Sequence, residues 1–192
     1  GQVFQKTHSA MKTILLLLSS DRFAHPLMRY LAEEGKTYGW KLTIGSMYDH
    51  ALFEKLSAEH PGFAILHLKD AKQCDKEIRR ADVIIGLMND VMLLKVADTC
   101  IAQSKTLISP TRLNRQLFAK RSQAEENDAF ILVECGFTPG LDHITSKKMI
   151  DHIHAKGGSI SSFKTFSGSL IAESSADNPW AFKLTTPATE LF

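Results

Sequence analysis

Six short apolar segments recur along the first two thirds of the chain, and stretches with helical spacing separate them. The segments are Thr13–Leu18, Lys41–Ile44, Ala64–Leu68, Val83–Leu87, Thr106–Ser109 and Phe130–Val133. This alternation is typical of βαβ units, in which helices cover both faces of a parallel sheet. It predicts a Rossmann-like, doubly wound α/β domain with six strands and five intervening helices.

Two of the intervening stretches show helical spacing clearly. Their apolar side chains recur at three- and four-residue steps, which places them on one face of a helix. The first stretch carries Leu27, Tyr30 and Leu31, and the second carries Val91, Leu94, Ala97, Cys100 and Ile101. We expect both faces to pack against the sheet.

The character of the chain changes after Val133, because the segment 134–140 contains two glycines and one proline. Such a segment favours a turn over a continuing element, so we predict a domain boundary here. Residues 1–10 would be a tag or a loose extension, and 11–135 the Rossmann-like domain. Residues 136–192 would be the incomplete beginning of a second α+β domain, of the substrate-binding and dimerisation type.

Within 136–192 the pattern predicts one helix and one strand. Asp142 is placed to cap a helix that runs to about Lys156, because a short carboxylate accepts the unpaired amide protons of a first turn. Gly157 and Gly158 would end that helix. Residues 159–167 alternate apolar and polar side chains, which is typical of a half-buried strand.

Charge and cysteine content argue against several classes of function. The 23 basic and 21 acidic residues are scattered, so we expect no surface for nucleic acid or an anionic membrane. Cys74, Cys100 and Cys135 lack metal-site spacing and are expected to be reduced, buried thiols of a cytoplasmic protein. The apolar run Ile14–Leu18 is too short for a signal peptide, and no run is long enough to cross a membrane.

The histidines and the short motifs exclude other chemistry. On one helix His152 would diverge from His154 and lie opposite His143, so the three histidines would not converge and we expect no metal site. The absence of a Gly-x-Ser-x-Gly elbow and of a Walker loop disfavours a hydrolase or a phosphotransferase. His143 is still a candidate ligand contact because it follows Asp142 beside the predicted turn, and an ordinary capping or core histidine is the alternative.

The loop after the first strand departs from the usual dinucleotide-binding pattern. That pattern is Gly-x-Gly-x-x-Gly, which lets the backbone approach a pyrophosphate, whereas this loop reads Leu18-Ser19-Ser20-Asp21-Arg22-Phe23. The side chains of Leu18 and Ser20 would narrow the space, and Asp21 would repel phosphate. Ser19, Ser20 and Arg22 could still donate hydrogen bonds. The residues favour a closed or repurposed loop over ordinary dinucleotide binding.

The second strand is expected to end at Gly45-Ser46-Met47. It therefore carries neither the acidic residue that binds the ribose of NAD nor an arginine for the extra phosphate of NADP, and no preference between the two can be deduced. Asp49 is close enough to approach a ribose, but a helix cap or a surface turn is the favoured interpretation.

A run of motifs after Val133 is more specific. In order, it reads Glu134-Cys135-Gly136-Phe137-Thr138-Pro139-Gly140-Leu141-Asp142-His143, then Lys156-Gly157-Gly158, Ser162-Phe163, Ser167-Gly168-Ser169-Leu170 and Asp177-Asn178-Pro179-Trp180-Ala181-Phe182-Lys183. This run resembles the saccharopine dehydrogenases of the glutamate-forming type. Upstream, Ala81–Leu87 and Val96–Ile101 are similar to the fourth and fifth βα units of that family.

Such enzymes use NADP or NAD to oxidise the secondary amine of saccharopine in lysine metabolism. The resemblance implies an oxidoreductase that transfers a hydride, with the cofactor over the sheet and the substrate between two domains. It implies cofactor contacts at Ser19, Ser20, Asp21, Arg22, Phe23, Ser46, Leu87, Met88 and Ser109. Substrate contacts would fall on Thr111, Arg112, Thr138, Pro139, Gly140, Asp142 and His143. The partners implied are a small-molecule substrate and, in a homodimer, a second copy of the chain.

Several positions depart from the family pattern, and they are positions that should touch ligands. The loop has lost its glycines, Met47 replaces an arginine, Thr111-Arg112 replace a Ser-Tyr pair, and Thr138 replaces an aspartate. The family's substrate-clamping basic residues would lie beyond Phe192. Two functional classes stay open. One is a divergent enzyme that binds its cofactor with serines in place of glycines, and the other is a non-catalytic relative that serves as a binding or assembly module.

Overall fold

The computed structural model describes residues 12–20, 24–137, 140–165 and 171–180. Six parallel strands form one sheet in the order β3-β2-β1-β4-β5-β6. The strands are β1 Thr13–Leu18, β2 Lys41–Met47, β3 Ile65–Leu68, β4 Val83–Leu87, β5 Thr106–Ile108 and β6 Phe130–Leu132. This is the strand order of a Rossmann fold, so the predicted fold class is confirmed.

Seven α-helices are described. They are α1 Ala24–Tyr38, α2 His50–Glu59, α3 Ala71–Arg80, α4 Asp90–Ala102, α5 Arg115–Phe118, α6 Arg121–Glu126 and α7 Leu141–Ala155. Side chains of Asp49, Asp70, Asn89 and Asn114 accept amide protons at the starts of α2, α3, α4 and α5. The connection from β5 to β6 holds two short helices where one was predicted, because Asn114 starts a turn of helix that ends at Phe118.

The core lies on both faces of the sheet, as the apolar strands require. One cluster packs α1 and α2 against β1 and β2, and its members include Leu16, Leu18, Met28 and Leu56. The second packs α3 and α4 on the opposite face, and its members include Leu15, Leu17, Ile84, Leu93 and Ala97. The expectation that Tyr30 and Val91 face the core is wrong, because 58% of Tyr30 and 65% of Val91 are exposed.

The ends of the central strands are level with one another. Leu18 of β1 is aligned with Ser46 of β2 and with Leu87 of β4. The chain passes from β3 on one side of β1 to β4 on the other, so the direction of winding reverses between β1 and β4. Ligands of open α/β sheets bind outside the carboxyl ends of the strands at such a point.

Contacts divide the chain into two units, Gly1–Ile144 and Thr145–Phe192. Helix α7 ends at Ala155, before Gly157 and Gly158, as predicted. The predicted strand is not found in its described part, because residues 159–165 pair with no other strand there. In the described part of the chain, no helix is long and apolar enough to cross a membrane.

Candidate functional site

The switch point between β1 and β4 is bridged by Ser19. Its backbone N–H donates to the carbonyl oxygen of Leu87 at 3.0 Å, and its hydroxyl donates to the same oxygen at 3.3 Å. Ser19 and Leu87 are both predicted cofactor contacts, and the structure brings them together. Because Leu87 already takes both Ser19 donors, a pyrophosphate would have to displace these bonds to use them.

The rest of the loop is only partly described. Asp21, Arg22 and Phe23 lie outside the described residues, and Ser20 is exposed. Leu18 was expected to narrow the space for phosphate. Its side chain is instead fully buried in the core cluster that includes Met28, so it supports α1 and does not occupy the loop.

The carboxyl ends of β2 and β3 carry two buried polar atoms that lack a partner. Ser46 is completely buried, and its Oγ has no hydrogen-bond partner among the described residues. The Nε2 atom of His67 is also buried and also has no hydrogen-bond partner among the described residues. Ser46 and His67 are register partners in parallel strands, so their side chains share one face of the sheet. Buried polar atoms without partners are rare in folded proteins and call for a ligand or an ordered water.

Helix α2 packs aromatic rings against His67. The Phe53 ring stacks on the imidazole with centroids 5.0 Å apart, and the His50 ring meets it edge-on at 5.1 Å. Asp49 starts this helix, since its Oδ1 accepts from the N–H of Ala51 at 2.9 Å and also from the next amide. The interpretation of Asp49 as a helix cap is confirmed.

Ser109 and Thr111 join the ends of β4 and β5. The Ser109 hydroxyl is fully buried, donates to the carbonyl of Gly86 at 2.9 Å, and lies 2.9 Å from the Thr111 Oγ1. Thr111 in turn donates to the carbonyl of Met88 at 3.1 Å. The hydroxyl groups of these two predicted ligand positions therefore already hold neighbouring strand ends together.

An open pocket of about 930 Å³ lies at the carboxyl ends of β5 and β6. It brings together three residues predicted to contact the substrate, namely Arg112, Gly140 and His143. Its remaining wall is lined by Leu113, Leu132, Val133, Glu134, Cys135, Gly136, Leu141 and Ile144. Thr138 and Pro139 lie outside the described residues, and Thr111 and Asp142 do not line the pocket. Arg112, Glu134 and His143 thus stand as charged or titratable side chains on a largely aliphatic wall.

The turn that forms one side of this pocket is fixed by backbone hydrogen bonds. The N–H of Glu134 donates to the carbonyl of Thr111 at 3.0 Å, and the Glu134 carboxylate accepts from the N–H of Leu113 at 3.2 Å. The N–H of Leu141 donates to the carbonyl of Gly136 at 2.9 Å. Glu134 has a φ of 63°, a conformation uncommon for a residue with a side chain.

Asp142 is the polar centre of the turn. Its Oδ1 accepts from the N–H of Gly140 at 3.1 Å, from the N–H of His143 at 2.8 Å, and lies 2.8 Å from the Nδ1 of His143. It was predicted to cap α7 from outside, but it is the second residue of that helix. Burial acts to raise the pKa of Asp142, but the hydrogen bonds from His143 and Gly140 outweigh it and lower that pKa. The carboxylate holds the His143 ring, of which 72% is exposed.

The three thiols do not share one environment. Cys74 and Cys100 are buried as predicted, and burial raises their pKa values to about 11 and about 12. Cys135 is exposed and lines the pocket, so its predicted burial is wrong. It follows the short edge strand β6, where few residues remain to cover it. Partial burial of its sulfur raises its pKa, which favours the thiol.

Sequence reasoning missed two features of these sites. Glu134 and Cys135 stand beside the predicted turn and line the pocket, and their place directly after the last strand was the available signal. The pairing of His67 with Ser46 could not be found from the sequence, since it depends on the register between β2 and β3.

Comparison with known proteins gives these sites a context. The family model of the saccharopine dehydrogenase C-terminal domain matches residues 136–185. Alpha-aminoadipic semialdehyde synthase of Arabidopsis thaliana is 28% identical over 95% of this chain and 19% of that protein. The saccharopine dehydrogenase [NADP(+), L-glutamate-forming] of Pyricularia oryzae is also 28% identical, over 88% of this chain and 37% of that protein.

The chain is similar to the saccharopine dehydrogenases in sequence and in fold. The apo saccharopine dehydrogenase of Saccharomyces cerevisiae superimposes with a TM-score of 0.72 at 25% identity, covering 91% of this chain and 38% of that one. An NAD binding oxidoreductase of Klebsiella pneumoniae, with a TM-score of 0.54 at 19% identity, shares the fold. The resemblance seen in the motifs is therefore confirmed.

The chain spans only 19% to 38% of the length of the alpha-aminoadipic semialdehyde synthase and the saccharopine dehydrogenases to which it is similar. The matched family model begins at residue 136, whereas the contact pattern divides the chain after Ile144. The domain boundary near Gly136 stays a prediction.

Proposed function

We propose that this chain is part of an oxidoreductase that transfers a hydride between a nicotinamide cofactor and a secondary-amine amino acid of lysine metabolism. The observation that carries the proposal is the pocket that joins Arg112 to the turn 134–144 at the carboxyl edge of the sheet. A guanidinium pairs well with an amino-acid carboxylate, and the aliphatic wall suits the methylene groups of such a substrate. The likeness to saccharopine dehydrogenases in sequence and in fold supports this choice of substrate class.

The polar side chains of the pocket have separate tasks in this proposal. Arg112 would bind a carboxylate of the substrate, and Asp142 would hold the His143 ring against the pocket through its 2.8 Å contact. A fixed imidazole can accept or return the proton that leaves an amine. The exposed Cys135 thiol would contact the substrate only by packing.

The described part of the expected cofactor site is only partly open to a dinucleotide. The polar atoms of Ser46 and His67 that lack a partner, at the ends of β2 and β3, are buried. At the pyrophosphate position, both Ser19 donors are already bound to Leu87. When bound, the cofactor supplies the hydride chemistry, while this chain binds and orients it. We therefore expect weaker cofactor binding than in a protein with a glycine-rich loop.

Fluorescence titration of the chain with NADH and with NADPH tests the cofactor assignment. Saturable binding of at least one of them is expected. If neither saturates while the chain is folded by circular dichroism, the cofactor assignment fails, and the non-catalytic binding or assembly module becomes the better interpretation.

Calorimetric titration with saccharopine tests the substrate assignment. Arg112→Gln should weaken saccharopine binding at least tenfold, because it removes the charge paired with the carboxylate. Arg79→Gln serves as the matched control, since this residue lies in α3, away from the pocket lining. Equal affinities of the two variants would contradict the role of Arg112.

The remaining partners are also proposals. A small molecule is the expected ligand, nucleic acid and membrane are not, and a homodimer is the proposed assembly. A cytoplasmic location, or another reducing compartment, agrees with three cysteines that form no disulfide.

A further inference from the structure

We propose that Glu134 makes the pocket at the carboxyl ends of β5 and β6 selective for the zwitterionic head group of an α-amino acid. Its carboxylate would bind the ammonium group while Arg112 binds the carboxylate. The inference rests on the proposed function and deepens it, because it names the residue that distinguishes an amino acid from a simple carboxylate.

The first argument is the balance of charge in the pocket. Arg112 and Glu134 both line it and bring one positive and one negative charge. The other titratable side chains of the lining are His143 and Cys135, and partial burial raises the pKa of the Cys135 thiol, which favours its uncharged form. An amino-acid head group also carries one charge of each sign. A simple carboxylate or a simple amine would match only one of the two pocket charges.

The second argument is that the Glu134 carboxylate is fixed close to Arg112 in the chain. Its Oε1 accepts from the N–H of Leu113, directly after Arg112, at 3.2 Å. The N–H of Glu134 donates to the carbonyl of Thr111, directly before Arg112, at 3.0 Å. The two bonds hold Glu134 beside the segment that carries the guanidinium, as the adjacent charges of a zwitterion require. A carboxylate has several lone pairs, so the bond to Leu113 leaves acceptor capacity for an ammonium group.

The third argument is the backbone conformation of Glu134. Its φ of 63° lies in the left-handed region, which glycine or asparagine adopts more readily than a residue with a long side chain. Local folding therefore does not favour a glutamate at this position. Residues held in such conformations cluster at ligand-binding and active sites, which agrees with a carboxylate that serves the pocket.

The apolar wall indicates which kind of amino acid fits. Leu113, Leu132, Leu141 and Ile144 line the pocket, and between 42% and 68% of each is exposed. The methylene groups of a ligand would cover these side chains and remove apolar surface from water. We therefore expect an α-amino acid with an unbranched aliphatic chain.

NMR titration of the full 15N-labelled chain tests the choice of head group. Norleucine carries both charges, hexanoate has the same carbon chain without the ammonium group, and pentylamine lacks the carboxylate. The amide signals of Leu113 and Leu141 report binding. Norleucine should bind at least about fivefold more tightly than either of the other probes, as expected for one more charged hydrogen bond in an open pocket. Equal binding of norleucine and hexanoate would overturn the proposal.

Glu134→Gln removes the charge and keeps the local structure, because the glutamine Oε1 can still accept from the N–H of Leu113. This variant should bind norleucine at least about fivefold more weakly. Its affinity for hexanoate should be equal or higher, since a negative charge near the bound carboxylate is gone. A purely structural role for Glu134 would leave the ratio of the two affinities unchanged, and that result would refute the inference.

Glu126→Gln is the matched control. It makes the same change of charge in the last residue of α6, outside the pocket lining. The ratio of norleucine affinity to hexanoate affinity should stay at the value of the unmodified chain. A shift as large as that of Glu134→Gln would mean that the overall charge of the chain, and no contact with Glu134, sets the selectivity.

The two proposals fail in different ways. If saccharopine binds while norleucine and hexanoate bind equally, the role of Glu134 is wrong and the proposed function stands. If norleucine binds selectively through Glu134 and saccharopine does not bind, the head-group assignment stands and the proposed substrate is wrong. If neither saccharopine nor any of the probes binds to the folded chain, both proposals are wrong.

Discussion

Replacing Gly140 with alanine should destabilise the candidate substrate pocket far more than the same change at other glycines. Gly140 has a φ of +141°, and an added Cβ would lie 2.3 Å from the carbonyl oxygen of Gly136 and 2.6 Å from that of Glu134. Both obstacles are backbone atoms, so no side-chain rotation relieves them. The turn that carries His143 has to move.

The expected magnitude is the sum of two terms. A residue held in a sparsely populated backbone region costs about 1–3 kcal/mol, and overpacking adds about 1–3 kcal/mol. We therefore expect Gly140→Ala to lower the free energy of unfolding by about 4 kcal/mol, or Tm by about 8–16 °C for a chain of this size. Gly39 has a φ of +69° and nothing within 4 Å of an added Cβ, so Gly39→Ala should cost about 1 kcal/mol. Gly62 has neither constraint, and its change should be nearly neutral.

Urea unfolding followed by circular dichroism gives the three free energies. Amide hydrogen exchange at Leu141, whose N–H donates to the carbonyl of Gly136 at 2.9 Å, reports a loss confined to the turn. The reasoning is refuted if Gly140→Ala is no more destabilising than Gly39→Ala and Leu141 keeps its protection.

Three further predictions concern the core, the thiols and pH. Leu16→Ala should lower the free energy of unfolding by about 2–5 kcal/mol in urea, because the side chain is fully buried in β1; a loss under about 1 kcal/mol would contradict this. Iodoacetamide at about pH 8 should label Cys135 long before Cys74 and Cys100, whose burial holds their pKa values at about 11 and about 12; mass spectrometry of the peptides decides, and equal labelling would refute it. The pKa of Asp142 is lowered below its ordinary 3.8, so its stabilising bonds are complete above that value and lost as pH falls through the folded pKa. Asp142→Asn should therefore make the free energy of unfolding depend less on pH below 3.8. An unchanged dependence on pH would contradict this.

The sheet could be predicted because its signal is strong and local. Strands buried on both faces must be apolar, so the segments that became β1 and β4 were found with the bounds that the structure gives them. β2 extends three residues beyond the apolar segment Lys41–Ile44 and ends at Met47, because Gly45 and Ser46 lie inside the sheet although neither has a large apolar side chain. The observed strand order is the one that the predicted Rossmann-like fold implies.

It was harder to predict which face of each helix packs against the sheet. In α1 the buried positions are Ala24, Met28, Leu31 and Gly35, a face on which two small residues let the helix approach the sheet. Tyr30 lies 200° around the helix from Met28 and so faces solvent. Apolar spacing alone does not tell which of two overlapping stripes meets the sheet, since aromatic and aliphatic residues occur on both.

Much of the candidate site depends on contacts distant in sequence. The family resemblance implied that Arg112 and His143 contact the substrate, and the structure brings both to one pocket. The bond from Ser19 to Leu87 joins residues 68 positions apart. The pairing of Ser46 with His67 rests on the register between β2 and β3, which helix α2 separates in the chain. Neither contact leaves a pattern in the local sequence.

The serine-rich loop limits the cofactor site through its conformation more than through its side chains. The stronger bond from Ser19 to Leu87 is made by a backbone N–H at 3.0 Å, and no substitution at Ser19 other than proline removes that donor. Leu18→Gly would open a cavity in the core, because this side chain is fully buried, and truncating a buried leucine costs about 2–5 kcal/mol. Putting glycines back at Leu18 and Ser20 would therefore weaken the support of α1 before it freed a phosphate donor. For Ser19 to bind a pyrophosphate, its two hydrogen bonds to Leu87 would first have to break.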